Sequence, residues 1–340
     1  MQAGPGPRNA ITDVAGLRIG QADDAGVRTG VTVILPDAAA VCAVDVRGGG
    51  PGTRETDVLT PWNLVHAVDA IVLSGGSVYG LAAADGVAAW LGARGRGYQA
   101  LPTAGVPRSP IVPAAILFDL ANGGDKDWHE DPPYRALALR AAAAVSQDPQ
   151  LGTAGAGYGA AAGALKGGVG SASFVSSDGV TVGAIVAVNC SGSVVVPGSR
   201  NFWAGALEIG DEFGGLGPAA SRVGGEDWGL ARGSHAALAS TTLACVATDV
   251  ALDQNELKRI AIMAQDGLAR AIRPVHSPFD GDAVFALSTA QREPPPGNRK
   301  LAVARIGAIA ADTLARAVAR GVHAATLPPG MTGQAWRDLR

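Results

Sequence analysis

Three hydroxyl residues in a row, Ser240-Thr241-Thr242, stand where a long glycine-rich stretch meets a run of strand-forming residues, 241–248. A threonine at such a junction has a particular chemical option. If the chain is cut before it, its own α-amine lies beside its own hydroxyl and acts as a general base, with no histidine needed. An α-amine titrates at ~7.7–8.0, close to working pH, where general-base catalysis is most effective. The plainer reading is two β-favouring threonines opening a strand, and spacing alone leaves both open. Lys166 is the second candidate. Four lysines stand against 23 arginines, and this one sits among small residues in ALKGGVG. A compact ammonium on a flexible stem differs from a planar guanidinium, and burial moves its pKa readily. The alternative is an ordinary surface lysine. Two glycine-rich turns offer backbone N–H groups. Ser74-Gly75-Gly76-Ser77 lies between a strand and a helix, where a helix N-terminus favours an anion. The other is RGGGPGTRETD at 47–57. Each also reads as a plain tight turn.

Other chemistries lack their signatures. There is no GxGxxG after the first strand, no Walker A, no HExxH and no GxSxG. His66 and His276 are isolated and read as structural, and His129 as solvated. Cys42, Cys190 and Cys245 are odd in number and far apart, which fits buried free thiols rather than a disulfide scaffold or zinc site. No cofactor or metal is expected.

The elements that must position these residues follow from pattern. Residues 30–36 and 39–46 read as strands around a turn at Asp37. Residues 69–73 form a buried strand running into the SGGS turn and a small-residue helix, 78–91. A strand at 111–118, a polar loop at 122–133 and a helix at 134–145 follow. Ser177-Asp178-Gly179 joins 171–175 and 180–188 as a hairpin whose second strand ends at Asn189. Residues 197–239 hold ten glycines and little periodicity, the mark of a functional or mobile segment. After strand 241–248, Asp253 and Glu256 imitate a capping box, and Leu257, Ile260, Ala264 and Leu268 repeat at helical spacing. Asp280-Gly281-Asp282 turns into a strand at 283–287. A last helix, 301–318, is closed by Gly321 as its C-cap. Hairpins between helices predict an α+β fold in layers rather than a doubly wound sheet.

Composition narrows the class further. With 340 residues and 47% hydrophobic content, the chain can bury a large core. Lys plus Arg is 27 against 30 Asp plus Glu, a net charge of −3, which argues against nucleic acid and polybasic membrane binding. No apolar run approaches the ~20 residues of a membrane span, and MQAGPGPRNA lacks the basic and apolar regions of a signal peptide. A cytoplasmic location is expected.

Several long motifs, in order, carry a resemblance over nearly the whole chain. They are ITDVAGLRIG at 11–20, VRGGGPGTRETD at 46–57, AIVLSGGSVYGLAAADGV at 70–87, LKGGVGSAS at 165–173, STTLACVATD at 240–249 and MAQDGLARAIRPVHSPFDGD at 263–282. In these the chain resembles the P1 family of peptidases, the DmpA-like aminopeptidases, which includes nylon-oligomer hydrolases and β-peptidyl aminopeptidases. The resemblance implies a layered αββα sandwich, similar to N-terminal-nucleophile hydrolases but differently connected. It implies one hydrolase domain over 1–340, self-cleaved into an α chain, 1–240, and a β chain, 241–340. Thr241 matches the nucleophile at the new N-terminus. Relatives commonly carry Asn or Gly before the cut, where this chain has Ser240. Lys166 matches the family's site lysine and Asn189 its oxyanion asparagine. Asp280 and Asp282 match paired acidic positions of the amidase-like branch, brought to Thr241 by two adjacent strands. The implied activity is hydrolysis of a small peptide or amide by a homo-oligomer of αβ units. Ornithine acetyltransferases share a related fold and a self-released threonine, so acyl transfer is the alternative. An uncleaved, non-enzymatic binding protein is the third reading.

Overall fold

The computed structural model describes residues 3–233 and 240–340. The first half of the described chain runs β1 (Leu17–Asp24), β2 (Thr29–Pro36), β3 (Ala40–Val46), β4 (Thr53–Arg54), β5 (Ala67–Val68) and β6 (Ile71–Ser74). Then come α1 (Ala83–Gly92), β7 (Ala114–Ile116) and α2 (Tyr134–Ala143). The second half runs β8 (Ala161–Ala162), β9 (Leu165–Lys166), β10 (Gly168–Val175), β11 (Thr181–Asn189) and β12 (Thr241–Val250). It ends with α3 (Gln254–Ala271), β13 (Ala283–Arg292) and α4 (Arg299–Ala324). One sheet has the order β1-β2-β6-β7-β4, the other β10-β11-β12-β13-β3-β5.

Three apolar layers stack these elements. Val31, Val33 and Val72 of the five-stranded sheet pack on Val87 and Leu137 of α1 and α2. Ile19, Ile34 and Leu73 meet Ile185, Leu243 and Phe285 between the two sheets. Val186, Val246 and Ala286 of the six-stranded sheet pack on Ile260 and Leu314 of α3 and α4. The result is the expected α–β–β–α order. A strand's side chains alternate between faces, and in β12 both faces are covered, which is why TLACVAT reads as continuously apolar. The parity that sends Leu243 and Cys245 into the space between the sheets sends Thr241 there too.

The elements agree with the sequence pattern in most places. Asp253 accepts from the Glu256 N–H, and Glu256 returns the bond to the Asp253 N–H, both at 2.9 Å. Two differences have physical causes. Strand β1, which begins inside the 11–20 motif and runs on to Asp24, carries no clear apolar pattern because its second half, QADD, is polar and Gly20 interrupts it. The helix expected at 301–318 does not stop at Gly321 but continues as α4 to Ala324. Gly321 is no cap. It lets α4 press on β10, where a Cβ would stand 2.8 Å from the Gly170 backbone nitrogen. The three cysteines are buried and unpaired. Among the described residues no helix is long and apolar enough to cross a membrane.

Part of the glycine-rich segment, residues 202–213, is packed on the core, whereas most of residues 214–229 are exposed. Phe202 and Phe213 enter the core beside Trp336. Glu212 accepts from buried Arg316 at 2.6 and 2.8 Å and from Asn9 at 2.6 Å. Burial alone would raise the Glu212 carboxyl, but the Arg316 guanidinium outweighs it and holds it below the ordinary value of 4.5. A depressed pKa adds stability above about pH 4.5 that is lost as pH falls through the folded-state value. Glu212→Gln, which strands a buried guanidinium, should cost about 3–5 kcal/mol in urea unfolding at pH 7. The gap to the wild type should narrow below pH ~4. An unchanged midpoint at pH 7 would contradict this.

Candidate active site

Thr241 opens β12 and is 4% exposed. Its neighbours are set by strand pairing. On one side β11 runs antiparallel, and Asn189 lies opposite Thr241 in the register. On the other side β13 runs parallel, so that its own beginning lies beside the beginning of β12. Asp280-Gly281-Asp282 thus travels alongside Ser240-Thr241-Thr242, with Ser240 and Asp280 forming a parallel bridge.

The polar contacts at this junction are dense. The Thr241 hydroxyl donates to the carbonyl of Ser240 at 2.6 Å. The Gly281 N–H donates to the same carbonyl at 2.9 Å. Asp282 accepts from the Thr242 N–H at 2.7 Å, and its other oxygen accepts from the His276 N–H at 3.2 Å and meets His276 Nδ1 at 2.8 Å. Asp280 accepts from the Ser191 hydroxyl at 2.9 Å and from the Ser277 hydroxyl at 2.6 Å. The glycine loop after β3 lies against this turn. Gly50 donates to the Asp280 carbonyl at 2.9 Å and Gly48 to the Asp282 carbonyl at 3.3 Å.

Lys166 and Asn189 stand together on the wall of a cleft of about 1030 Å³, lined also by Asp119 and Arg232. Lys166 is buried, so the surface reading does not hold. Its ammonium donates to the carbonyls of Gly157, Ala160 and Gly167 at 3.0, 2.9 and 2.8 Å. Burial pulls its pKa down to about 7, against the opposing pull of the Asp119 carboxylate. Asn189 accepts from the Ala161 N–H at 3.0 Å and from Arg232 at 3.1 Å, and its amide donates to the Phe118 carbonyl at 3.0 Å. Both side chains brace the turn that leads into β8. Thr241, Asn189, Asp280 and Asp282 are gathered around the head of β12, and Asn189 links that cluster to the cleft that holds Lys166.

Three residues of this neighbourhood escape sequence reasoning. His276, read as an isolated structural histidine, is a partner of Asp282 six residues on. Arg232 lies in the aperiodic segment and carries no pattern. Asp119 follows a buried strand, and that position was its one signal. The SGGS turn does hold an anion, but the anion is the protein's own. Asp119 accepts from the Gly76 N–H at 2.7 Å and from the Thr29 hydroxyl at 2.6 Å.

The model of peptidase family S58 matches residues 9–336. The chain belongs to peptidase family S58. Family S58 membership makes it a hydrolase of peptide or amide bonds and sets aside the reading as a non-enzymatic binding protein. A protein of Mycobacterium tuberculosis named an uncharacterized aminopeptidase is 46% identical over 331 residues, covering 92% of this chain and 93% of that protein. A 6-aminohexanoate-oligomer endohydrolase of Agromyces is 29% identical, covering 90% of this chain and 84% of that one. Among solved structures, the L-aminopeptidase D-Ala-esterase/amidase of Ochrobactrum anthropi superposes with a TM-score of 0.72 at 22% identity, covering 98% of this chain and 93% of that one. A Burkholderia β-aminopeptidase gives 0.69 at 22%, covering 98% and 92%. At that identity the two structures establish the fold, a variant of the N-terminal-nucleophile hydrolase architecture.

Asp119 provides a test of the cleft's electrostatics. Burial raises its carboxyl to about 6, while the Thr29 hydroxyl and the Gly76 N–H pull it down. With a raised folded-state pKa, the native protein keeps a proton that the unfolded chain has lost. That contribution is complete below about pH 4 and disappears as pH rises through about 6. Asp119→Asn should therefore gain about 3 kcal/mol on the wild type between pH ~4 and ~7, read by urea unfolding. A stability difference that stays constant over that range would contradict the buried-carboxyl account.

Proposed function

We propose that this chain is a self-processing amide hydrolase whose nucleophile is Thr241, released as the N-terminus of a β chain, 241–340, from an α chain, 1–240. The observation that carries the reading is the Thr241 hydroxyl on the carbonyl of Ser240, at the head of a buried central strand. A hydroxyl bonded to the preceding carbonyl oxygen lies beside the peptide bond it would have to attack. The Oγ1–C bond forms, the Ser240–Thr241 C–N bond breaks, and the hydroxyl proton ends on the departing nitrogen. Water then cleaves the ester, leaving a carboxylate on Ser240 and a free amine beside a free hydroxyl on Thr241.

Turnover repeats the same chemistry on a substrate. The hydroxyl attacks an amide carbonyl, the α-amine takes its proton and gives it to the leaving amine, and water releases the acyl-enzyme. Asp282 fixes the peptide after the nucleophile through the Thr242 N–H. Asp280, anchored by Ser191 and Ser277, fixes the turn beside it. Asn189, opposite Thr241 and on the cleft wall, is the proposed donor to the substrate's oxyanion, exchanging the Phe118 carbonyl for it. Lys166 holds the turn that forms the cleft wall, and its lowered pKa leaves it able to exchange a proton near neutrality. The names of relatives, aminopeptidase and oligomer endohydrolase, support a small peptide or linear amide as substrate. Assembly of the processed units into a homo-oligomer belongs to the same proposal.

The two duties of Thr241 can be separated. Thr241→Ala should stay a single chain and lose amide hydrolysis on the order of 10⁴-fold or more. Thr241→Ser should cleave and keep part of the activity. Acetylating the new N-terminus of the cleaved wild type should abolish turnover without altering its circular dichroism, because the general base is gone. A cleaved, acetylated enzyme that kept its rate would require a different base.

A further inference from the structure

Why a glycine stands between Asp280 and Asp282 is a question the carboxylates do not answer. A Cβ at Gly281 would stand 2.6 Å from the Thr241 hydroxyl oxygen and 2.8 Å from the Gly50 carbonyl. The position must therefore be bare for the nucleophile to lie where it does. Its backbone has a second duty. The Ser240 carbonyl takes two bonds from described residues, one from the Thr241 hydroxyl and one from the Gly281 N–H at 2.9 Å. Once the hydroxyl attacks, it ceases to donate, and among the described residues the Gly281 N–H is the donor that remains on that oxygen.

We propose that the Gly281 backbone N–H is the oxyanion donor of self-cleavage, and that the RGGGPG loop serves to hold and polarise it. The inference rests on the self-processing reading above. Oxyanion stabilisation works through donors about 2.7–3.1 Å from the developing charge that need not reorganise during reaction. The distance lies within that range, and the surroundings supply the rigidity. The peptide joining Asp280 and Gly281 is bonded at both ends. Its carbonyl accepts from the Gly50 N–H at 2.9 Å while its N–H donates to Ser240. Hydrogen bonds in such a chain polarise one another, so the Gly50 bond makes the Gly281 N–H a stronger donor. On either side, the Asp280 and Asp282 side chains are buried and fully engaged, by Ser191 and Ser277 and by Thr242 and His276. The glycines of the loop are needed for contact. A Cβ at Gly48 would run into the Asp280 carbonyl and the Asp282 nitrogen, and one at Gly49 into the backbone of Pro278.

This gives the turn a division of labour. The carboxylates position and the glycine between them stabilises charge. In the attack, the bond from Thr241 Oγ1 to the Ser240 carbon forms and the carbonyl electron pair moves onto the oxygen that Gly281 holds. The pair returns as the C–N bond breaks and the proton reaches the Thr241 nitrogen. Gly281 neither gains nor loses a proton.

The test replaces the Gly281 amide by an ester, with glycolic acid at 281 in an otherwise unchanged full-length chain, refolded from urea alongside the all-amide chain. The ester removes one N–H and adds no atom at the α-carbon. Cleavage at 240/241, followed by gel and mass, should slow by about 10²–10³-fold. Both chains should have the same near-ultraviolet circular dichroism when built on Thr241→Ala, which stops cleavage. Cleavage of the ester chain within about threefold of the amide chain would overturn the assignment. If the Gly281 ester does not fold, the corresponding ester at Gly50 decides, since it removes only the polarising bond. Severalfold slower cleavage is then expected, and an unchanged rate overturns the proposal. The all-amide chain separates the two readings. If it stays whole, self-processing fails; if it cuts and the Gly281 ester cuts equally fast, Gly281 alone is dismissed.

Discussion

The site depends on one constraint, the parallel pairing of β12 with β13. Parallel neighbours begin at the same end of a sheet, so this pairing sets Asp280-Gly281-Asp282 directly beside Ser240-Thr241-Thr242. An antiparallel hairpin would have put the end of one strand beside the start of the other. Parallel neighbours need a crossover of a dozen or more residues, and α3 supplies it. The capping box at Asp253 and Glu256 and the stripe from Leu257 to Leu268 are remote from the chemistry, yet they determine where the Asp280 turn begins. Burial of both faces of β12 then holds the register, because a slip by one residue would send Thr241 toward the helices instead of the space between the sheets.

Close backbone approach is the second theme, and it explains much of the glycine content. Gly170 of β10 and Gly321 of α4 meet without side chains between them, which brings the long helix onto the sheet. The same device operates at the site, where the loop after β3 lies backbone to backbone on the Asp280 turn. The candidate site is thus framed in part by main-chain groups. Main-chain donors are placed by the fold itself and lose no rotamer freedom when they act.

This explains which parts were legible in the sequence. Strand β12, helix α3 and the β10–β11 hairpin follow local patterns of period, cap and turn, and they were readable. The approach of Asp280 and Asp282 to Thr241 followed from two adjacent strands and from the family resemblance. Lys166 stood out by its rarity, but three backbone carbonyls are its partners, and no residue type announces a carbonyl. Asp119 and His276 were passed over because their partners lie far along the chain or in a turn without periodicity. Gly321 was misread because a glycine near a helix end commonly caps it, whereas here packing against Gly170 required the glycine and the helix ran on. Residues 234–239, which precede the junction, lie outside the described structure.

The central claim is that the hydroxyl at the head of β12 cuts the bond before it. Intact mass spectrometry of freshly purified wild-type protein under denaturing conditions tests this most directly. The account predicts two chains, 1–240 and 241–340, whose masses sum to the 33.9 kDa precursor plus one water. A single intact 33.9 kDa species that hydrolyses amides at full rate would contradict it.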